Sequence, residues 1–230
     1  MYFFRDTVEG DVRLDVAFTD SSIDLQGLRP GFPTRLDELE AECGVRFARL
    51  NQVHGADVVV VDGPVGRDEV PSGDALVTAR RGLGLMVRVA DCVPVLLADP
   101  RAGVVGAAHA GRVGAAAGVL PAVVTAMTEL AARVSDIEVL LGPAVCGSCY
   151  EVPAAMRAEV DSRLPGSAVR TRSGTPGLDL RAGLYHQLVE LGVGRVGADP
   201  RCTVEDRALY SHRRDGRTGR QAAITWLDTS

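Results

Sequence analysis

The chain contains no apolar run long enough to cross a bilayer, which excludes an integral membrane helix. Its beginning, MYFFRDTVEGDVRLD, has no apolar core of the secretory kind and predicts no cleaved leader. A basic excess is also missing. Lys and Arg number 25 against 30 Asp and Glu, a net charge of −5, so there is no electrostatic footprint for nucleic acid. Cysteines are few and odd in number, five in all, which argues against a disulfide framework and for free thiols in a reducing compartment. Histidines are scarcer still, at four. These absences predict a cytoplasmic protein with neither nucleic acid nor membrane as partner, and they leave its oligomeric state open.

What is present is apolar and punctuated. With 230 residues, 46% of them hydrophobic, the chain can build a continuous core, and no linker or repeat divides it, so one domain over residues 1–230 is expected. ADVVVVD (56–62), DALVT (74–78), GLGLMVRVA (82–90) and VPVLLAD (93–99) read as strands bounded by Gly, Pro and Asp. ADPRAG then turns the chain into GVVGAAH, a hairpin signal. VGAAAGVLPAVVTAMTELAARV has helical spacing, with Pro121 expected to kink or restart it. IEVLLGPAV returns to strand and VPAAMRAEVDSRL to helix. LDLRAGLYHQLVELGVG is a helix with Asp179 as N-cap and Gly192 as stop, and QAAITWL closes as a strand. Short β connections mixed with helices indicate an α+β layered fold more than a βαβ repeat.

Three chemically capable residues stand at the ends of apolar elements, where side chains commonly converge on a site: His54 in NQVHGADV, Cys92 in ADCVP and His109 in AAHAG. Two imidazoles and a thiolate form a three-ligand zinc set that leaves a fourth position open. Spacings of 38 and 17 residues match no short zinc signature, so a buried cysteine and two packed histidines explain the same residues. Cys146 and Cys149 form a C-x-x-C pair, but a structural zinc would need a second pair and Cys43 and Cys202 are isolated in sequence. They are therefore expected to be free thiols. His186 reads as helix packing, and SHRRDGRTGR reads as a solvated loop or a phosphate-facing rim.

NQVHGADV, DALVT, ADCVPVLLADP, AAHAGRVG, LGPAVCGSCYEV and CTVEDRALYSHRRDGRTGRQAAI occur in order. Together they resemble the YfiH-type, "laccase-domain" family of bacterial proteins, also called purine nucleoside phosphorylases or peptidoglycan editing factors. The resemblance implies a four-layer α/β/β/α sandwich and a zinc centre at His54, Cys92 and His109, which would also be the catalytic residues. It places Cys149 near the site. The chain departs from the family pattern at FTDSSIDLQGLRPG, where Asp20 stands near the place of an arginine. It departs again at HAGRVG, where Arg112 replaces a tryptophan and Val113 an arginine.

The resemblance implies a zinc-dependent purine nucleoside enzyme that phosphorolyses adenosine, inosine and methylthioadenosine and deaminates adenosine, with purine nucleosides and phosphate as partners. Arg112 is the candidate anion contact, Gln52 a hydrogen-bonding partner of base or ribose, and Asp91 either a base or the carboxylate that orients a ligand imidazole. Three alternatives stay open. One is a Cys–His hydrolase in peptidoglycan editing, with Cys92 as nucleophile and His109 as base. Another is a metal-stabilised binding protein without turnover. The third is a copper-dependent polyphenol oxidase, since Cys plus two His is a blue-copper ligand set. Four histidines are too few for a blue site plus a trinuclear cluster.

Overall fold

Alternation along two long central strands explains how the layers stack. In the computed structural model, which describes residues 1–8, 12–66 and 69–228, β6 (Leu83–Val89) sends Leu85 and Val87 to one side and Met86 to the other. Its antiparallel neighbour β13 (Gln221–Leu227) divides in the same way, Ala223 from Ile224. Side chains of period two on a strand with both faces covered require a partner layer on each side.

The five-stranded sheet runs β1 (Tyr2–Val8), β2 (Leu14–Thr19), β13, β6 and β3 (Arg46–Ala48). Helix α1 (Phe32–Cys43) covers its outer face through Phe32, Leu36 and Leu39, which pack with Met86, Ile224 and Trp226. The inner face meets a six-stranded sheet ordered β12 (Arg195–Ala198), β9 (Glu138–Leu141), β7 (Val93–Asp99), β8 (Val104–Ala110), β5 (Ala75–Thr78) and β4 (Val58–Val60). Phe18, Leu85, Leu96 and Ala107 fill the space between the sheets. Helices α2 (Arg112–Ala116), α3 (Val119–Glu129), α4 (Ala154–Arg163) and α5 (Leu180–Glu190) cover the far face, with Val123, Met127, Leu184 and Leu188 against Val95 and Ala108. A two-stranded ribbon, β10 (Ala168–Arg170) and β11 (Pro176–Leu178), lies beside α4, and β11 leads into α5. The fold is an α+β, four-layer α/β/β/α sandwich with mixed sheets: β3–β6, β4–β5 and β9–β12 pair parallel, the rest antiparallel.

The expected hairpin is β7–β8, antiparallel from Val93↔Ala110 to Asp99↔Val104. The Ala-rich helical stretch divides at Gly118, whose φ of +87° favours glycine, and Pro121 then falls within the first turn of α3. Asp179 caps α5 by accepting from the Ala182 amide at 3.0 Å. Among the described residues, no helix is long and apolar enough to cross a membrane.

Candidate metal centre and cavity

One buried carboxylate organises the centre. Asp74, fully buried at the start of β5, accepts the backbone N–H groups of Val53, His54 and Gly55 at 3.3, 3.0 and 2.6 Å. These three bonds fold the turn that presents His54, whose φ of +63° is left-handed. Asp74 Oδ1 also lies 2.7 Å from His109 Nδ1, and the His109 N–H donates to the Asp74 carbonyl at 2.8 Å. The imidazole therefore carries its proton on Nδ1, and Nε2 is left to face Cys92 and His54.

The ligand atoms of His54, Cys92 and His109 lie within 4.8 Å of one another. The two rings meet edge to face, their centroids 4.7 Å apart. Burial raises the Cys92 thiol, but hydrogen bonds from His109 and His54 outweigh it and bring it down to about 6. For His109, burial opposes the charged form, yet Asp74 and Cys92 carry it up to about 9. Burial likewise opposes the charged Asp74, whose bonds to His109, Gly55 and His54 hold it below the ordinary carboxylate range. Gly111 permits this proximity, because a Cβ there would stand 2.9 Å from His54 Cδ2 and 3.2 Å from Cys92 Sγ.

The centre opens into a cavity of about 1050 Å3, walled by Phe32, Leu36, Val89 and Tyr150 and by the arginines 29, 49, 88, 112, 213 and 220. Arg112 stands beside the Tyr150 phenol, and Arg213 lies over the Tyr150 ring at 5.1 Å. Burial first, then Arg49 and Arg220, lower Arg88 to about 10, and it packs on the Phe32 ring at 5.2 Å.

Of the residues expected to bind substrate, Arg112 and Gln52 line this cavity. The Gln52 amide is already engaged with the Arg88 backbone, donating to its carbonyl at 2.8 Å and accepting its N–H at 2.9 Å. Asp91 does not orient an imidazole: its Oδ1 accepts the Thr203 hydroxyl and its Oδ2 the Arg213 N–H, each at 2.6 Å. The orienting carboxylate is Asp74, which sequence reasoning passed over although DALVT was in view. Asp91 instead fastens the 203–213 arm beside Cys92, at a strained φ of +93°. In SHRRDGRTGR, Arg213 faces the cavity, while Arg214 donates to the carbonyls of Thr203, Asp206 and Leu209 at 2.8, 3.1 and 2.8 Å.

Cys146 and Cys149 are not isolated thiols. The fold brings Cys202 and Glu205 to them, and the four ligand atoms lie within 4.8 Å of one another. Cys149 therefore belongs to a second potential metal group, not to the His54–Cys92–His109 set. Burial and the neighbouring thiols push Cys149 up to about 12.

Residues 34–228 match the family model described as "Multi-copper polyphenol oxidoreductase laccase". The chain is 58% identical over 180 residues to a purine nucleoside phosphorylase of Streptomyces griseus, covering 78% of this chain and 73% of that one. It is 55% identical over 203 residues to a purine nucleoside phosphorylase of Streptomyces coelicolor, covering 86% and 84%. Among solved structures, YlmD from Geobacillus stearothermophilus superimposes with a TM-score of 0.82 at 30% identity, covering 94% and 92%. A Neisseria meningitidis protein superimposes with a TM-score of 0.81 at 27% identity, covering 97% and 99%. Likeness this broad to named enzymes makes this chain an enzyme.

The zinc-dependent reading, phosphorolysis with adenosine deamination, is corrected by these findings. The family is described as copper-using, and the thiol-rich Cys146–Cys149–Cys202–Glu205 group adds a second soft donor set, so copper is favoured over zinc. His54, Cys92 and His109 fit one copper ion, two imidazoles and a thiol whose proton is readily lost. A blue site plus trinuclear cluster does not fit: His186 lies against Gly166, and His212 Nδ1 bonds the Gly216 carbonyl at 2.6 Å. The chain belongs to the multi-copper polyphenol oxidoreductase laccase family, the YfiH-type laccase-domain proteins.

Proposed function

We propose that the chain is a copper-binding oxidoreductase of the polyphenol-oxidase type, with His54, Cys92 and His109 as metal ligands. The observation that carries this reading is a readily ionised cysteine between two imidazoles at one end of an open cavity. Copper held there would supply one-electron redox chemistry, with a phenol as donor and dioxygen as acceptor. Asp74 keeps the proton of His109 on Nδ1 and holds the His54 turn. Arg112 and Arg213 set a positive potential near the centre, where it favours the phenolate of an entering substrate. They act on Tyr150 in the same sense, lowering a phenol that burial raises. Phe32 and Leu36 offer apolar surface to an aromatic ring. Oxygen uptake with 2,6-dimethoxyphenol by copper-loaded protein tests this: turnover is expected, and its loss in Cys92→Ser. A fully loaded protein that consumes no oxygen with any of a panel of phenols overturns the reading.

The arginines of the cavity favour a second reading of what it accepts. Six guanidinium groups suit an anionic partner, and the Streptomyces relatives are named purine nucleoside phosphorylases. Purine nucleosides and phosphate are then the partners, with Arg112 as the anion contact. Release of free base from inosine, dependent on phosphate, supports this reading; base release at the same rate without phosphate counts against it. Reduced thiols at Cys92 and in the second group suit a cytoplasmic location.

A further inference from the structure

The second thiol group has the construction of a closed metal site. Cys146–Cys149 and Cys202–Glu205 are two turns of equal length, in each of which the fourth residue's N–H donates to the first cysteine's carbonyl, at 2.9 and 3.1 Å. The turns face each other across a bridge between Ala144 and Cys202. Cys202 Sγ accepts the Cys146 N–H at 3.3 Å, and Cys149 Sγ lies 3.6 Å from Glu205 Oε1. Backbone N–H donation to sulfur and paired C-x-x-C-like turns suit thiolates held around a cation. Glu205 is already ion-paired with Arg172, which leaves the three sulfurs as the stronger donors.

We infer that Cys146, Cys149 and Cys202, with Glu205 alongside, bind one cuprous ion as a structural clamp distinct from the His54–Cys92–His109 centre. Three soft sulfur donors drawn together from two turns suit Cu(I). The clamp acts on the arm that borders the cavity. From Cys202 the chain runs to Thr203, which donates to Asp91, and on to Arg213, which donates to the other oxygen of Asp91 and stacks over Tyr150. From Cys146 it runs back to Val145, whose N–H donates to the Asp91 carbonyl at 3.0 Å, and forward to Tyr150. Joining the two turns therefore fixes both elements that hold Asp91, next to Cys92. The inference does not depend on which reaction the cavity performs.

The test is anaerobic titration of reduced full-length protein with Cu(I) buffered by bathocuproine disulfonate. Wild type is expected to take about two equivalents, Cys149→Ser and Cys92→Ser about one each, from different sites. Hydrogen exchange of the 203–206 amides should slow on loading in wild type and in Cys92→Ser but not in Cys149→Ser. A Cys149→Ser variant that takes as many equivalents as wild type overturns the proposal. Should Cys149→Ser fail to fold by circular dichroism, alkylation of wild type decides. Protection of Cys146, Cys149 and Cys202 by Cu(I) supports the site; unprotected labelling, or an air-formed Cys146–Cys149 disulfide in loaded protein, refutes it.

Discussion

Asp74 Oδ1 stands 2.7 Å from His109 Nδ1, and the same carboxylate accepts three consecutive N–H groups from Val53 to Gly55. A single side chain thus sets the tautomer of one imidazole and the backbone path of the other. Loss of such a partner typically costs 10- to 100-fold in metal affinity. Asp74→Asn should weaken copper at the centre by roughly that factor. Asp91→Asn should leave the affinity of this centre close to wild type, because Asp91 bonds Thr203 and Arg213 and no imidazole. Competition titration of the two variants checks the contrast, and equal losses would contradict the role given to Asp74.

Close approach at Gly111 gives a second expectation. Its backbone, φ −74° and ψ 167°, suits any residue, so a substitution there tests space alone. The added methyl of Gly111→Ala would meet His54 Cδ2 at 2.9 Å and Cys92 Sγ at 3.2 Å. Overpacking costs about 1–3 kcal/mol, which the exposed His54 turn can relieve by moving outward. The variant should fold, with a melting temperature lowered by a few degrees, and bind copper at this centre at least about tenfold more weakly. Wild-type copper affinity would show that the ligand set tolerates a displacement of His54.

Much of the centre was legible because strands announce their ends. VPVLLAD and GVVGAAH became β7 and β8, and their register opposes Pro94 to His109, two residues from Cys92. Period-two runs covered on both faces leave few other foldings. Asp74 was not legible as an organiser, since one carboxylate among 30 Asp and Glu acquires that role only when the His54 turn folds onto it. The second thiol group was missed for a similar reason. Cys202 lies 56 residues beyond Cys146, and the pair of turns is recognisable only once the Ala144–Cys202 bridge brings them together. Helix α1 went unread because only Phe32, Leu36 and Leu39 of its residues are buried, a narrow stripe in a polar sequence.

Arg112 offers a test of what the cavity accepts. Under the nucleoside reading, its guanidinium is the contact for phosphate. A charged hydrogen bond of about 1.5–3 kcal/mol then predicts a roughly ten- to hundredfold rise in the phosphate KM of Arg112→Ala, with copper content unchanged. Unaltered phosphate dependence would pass the role to Arg213, which also lines the cavity and lies over the Tyr150 ring.

Cys92 separates metal chemistry from thiol chemistry. In metal-stripped protein its thiol is held at about 6 by the hydrogen bonds of His109 and His54 against the opposing effect of burial. It is therefore a thiolate above about pH 6 and a thiol below it, where an ordinary cysteine changes near 9. Iodoacetamide should label it in stripped protein with a rate that falls as pH drops through 6, at pH values where Cys149, pushed up to about 12, reacts little. Copper bound by the same sulfur removes the lone pair that attacks, so labelling should be slow in loaded protein and recover on chelation. Peptide mapping of the modified cysteines, with and without copper, reads both effects. Rapid modification of Cys92 in fully loaded protein, with activity lost and copper retained, would show a free nucleophile paired with His109 and would replace the copper centre by a Cys–His hydrolase.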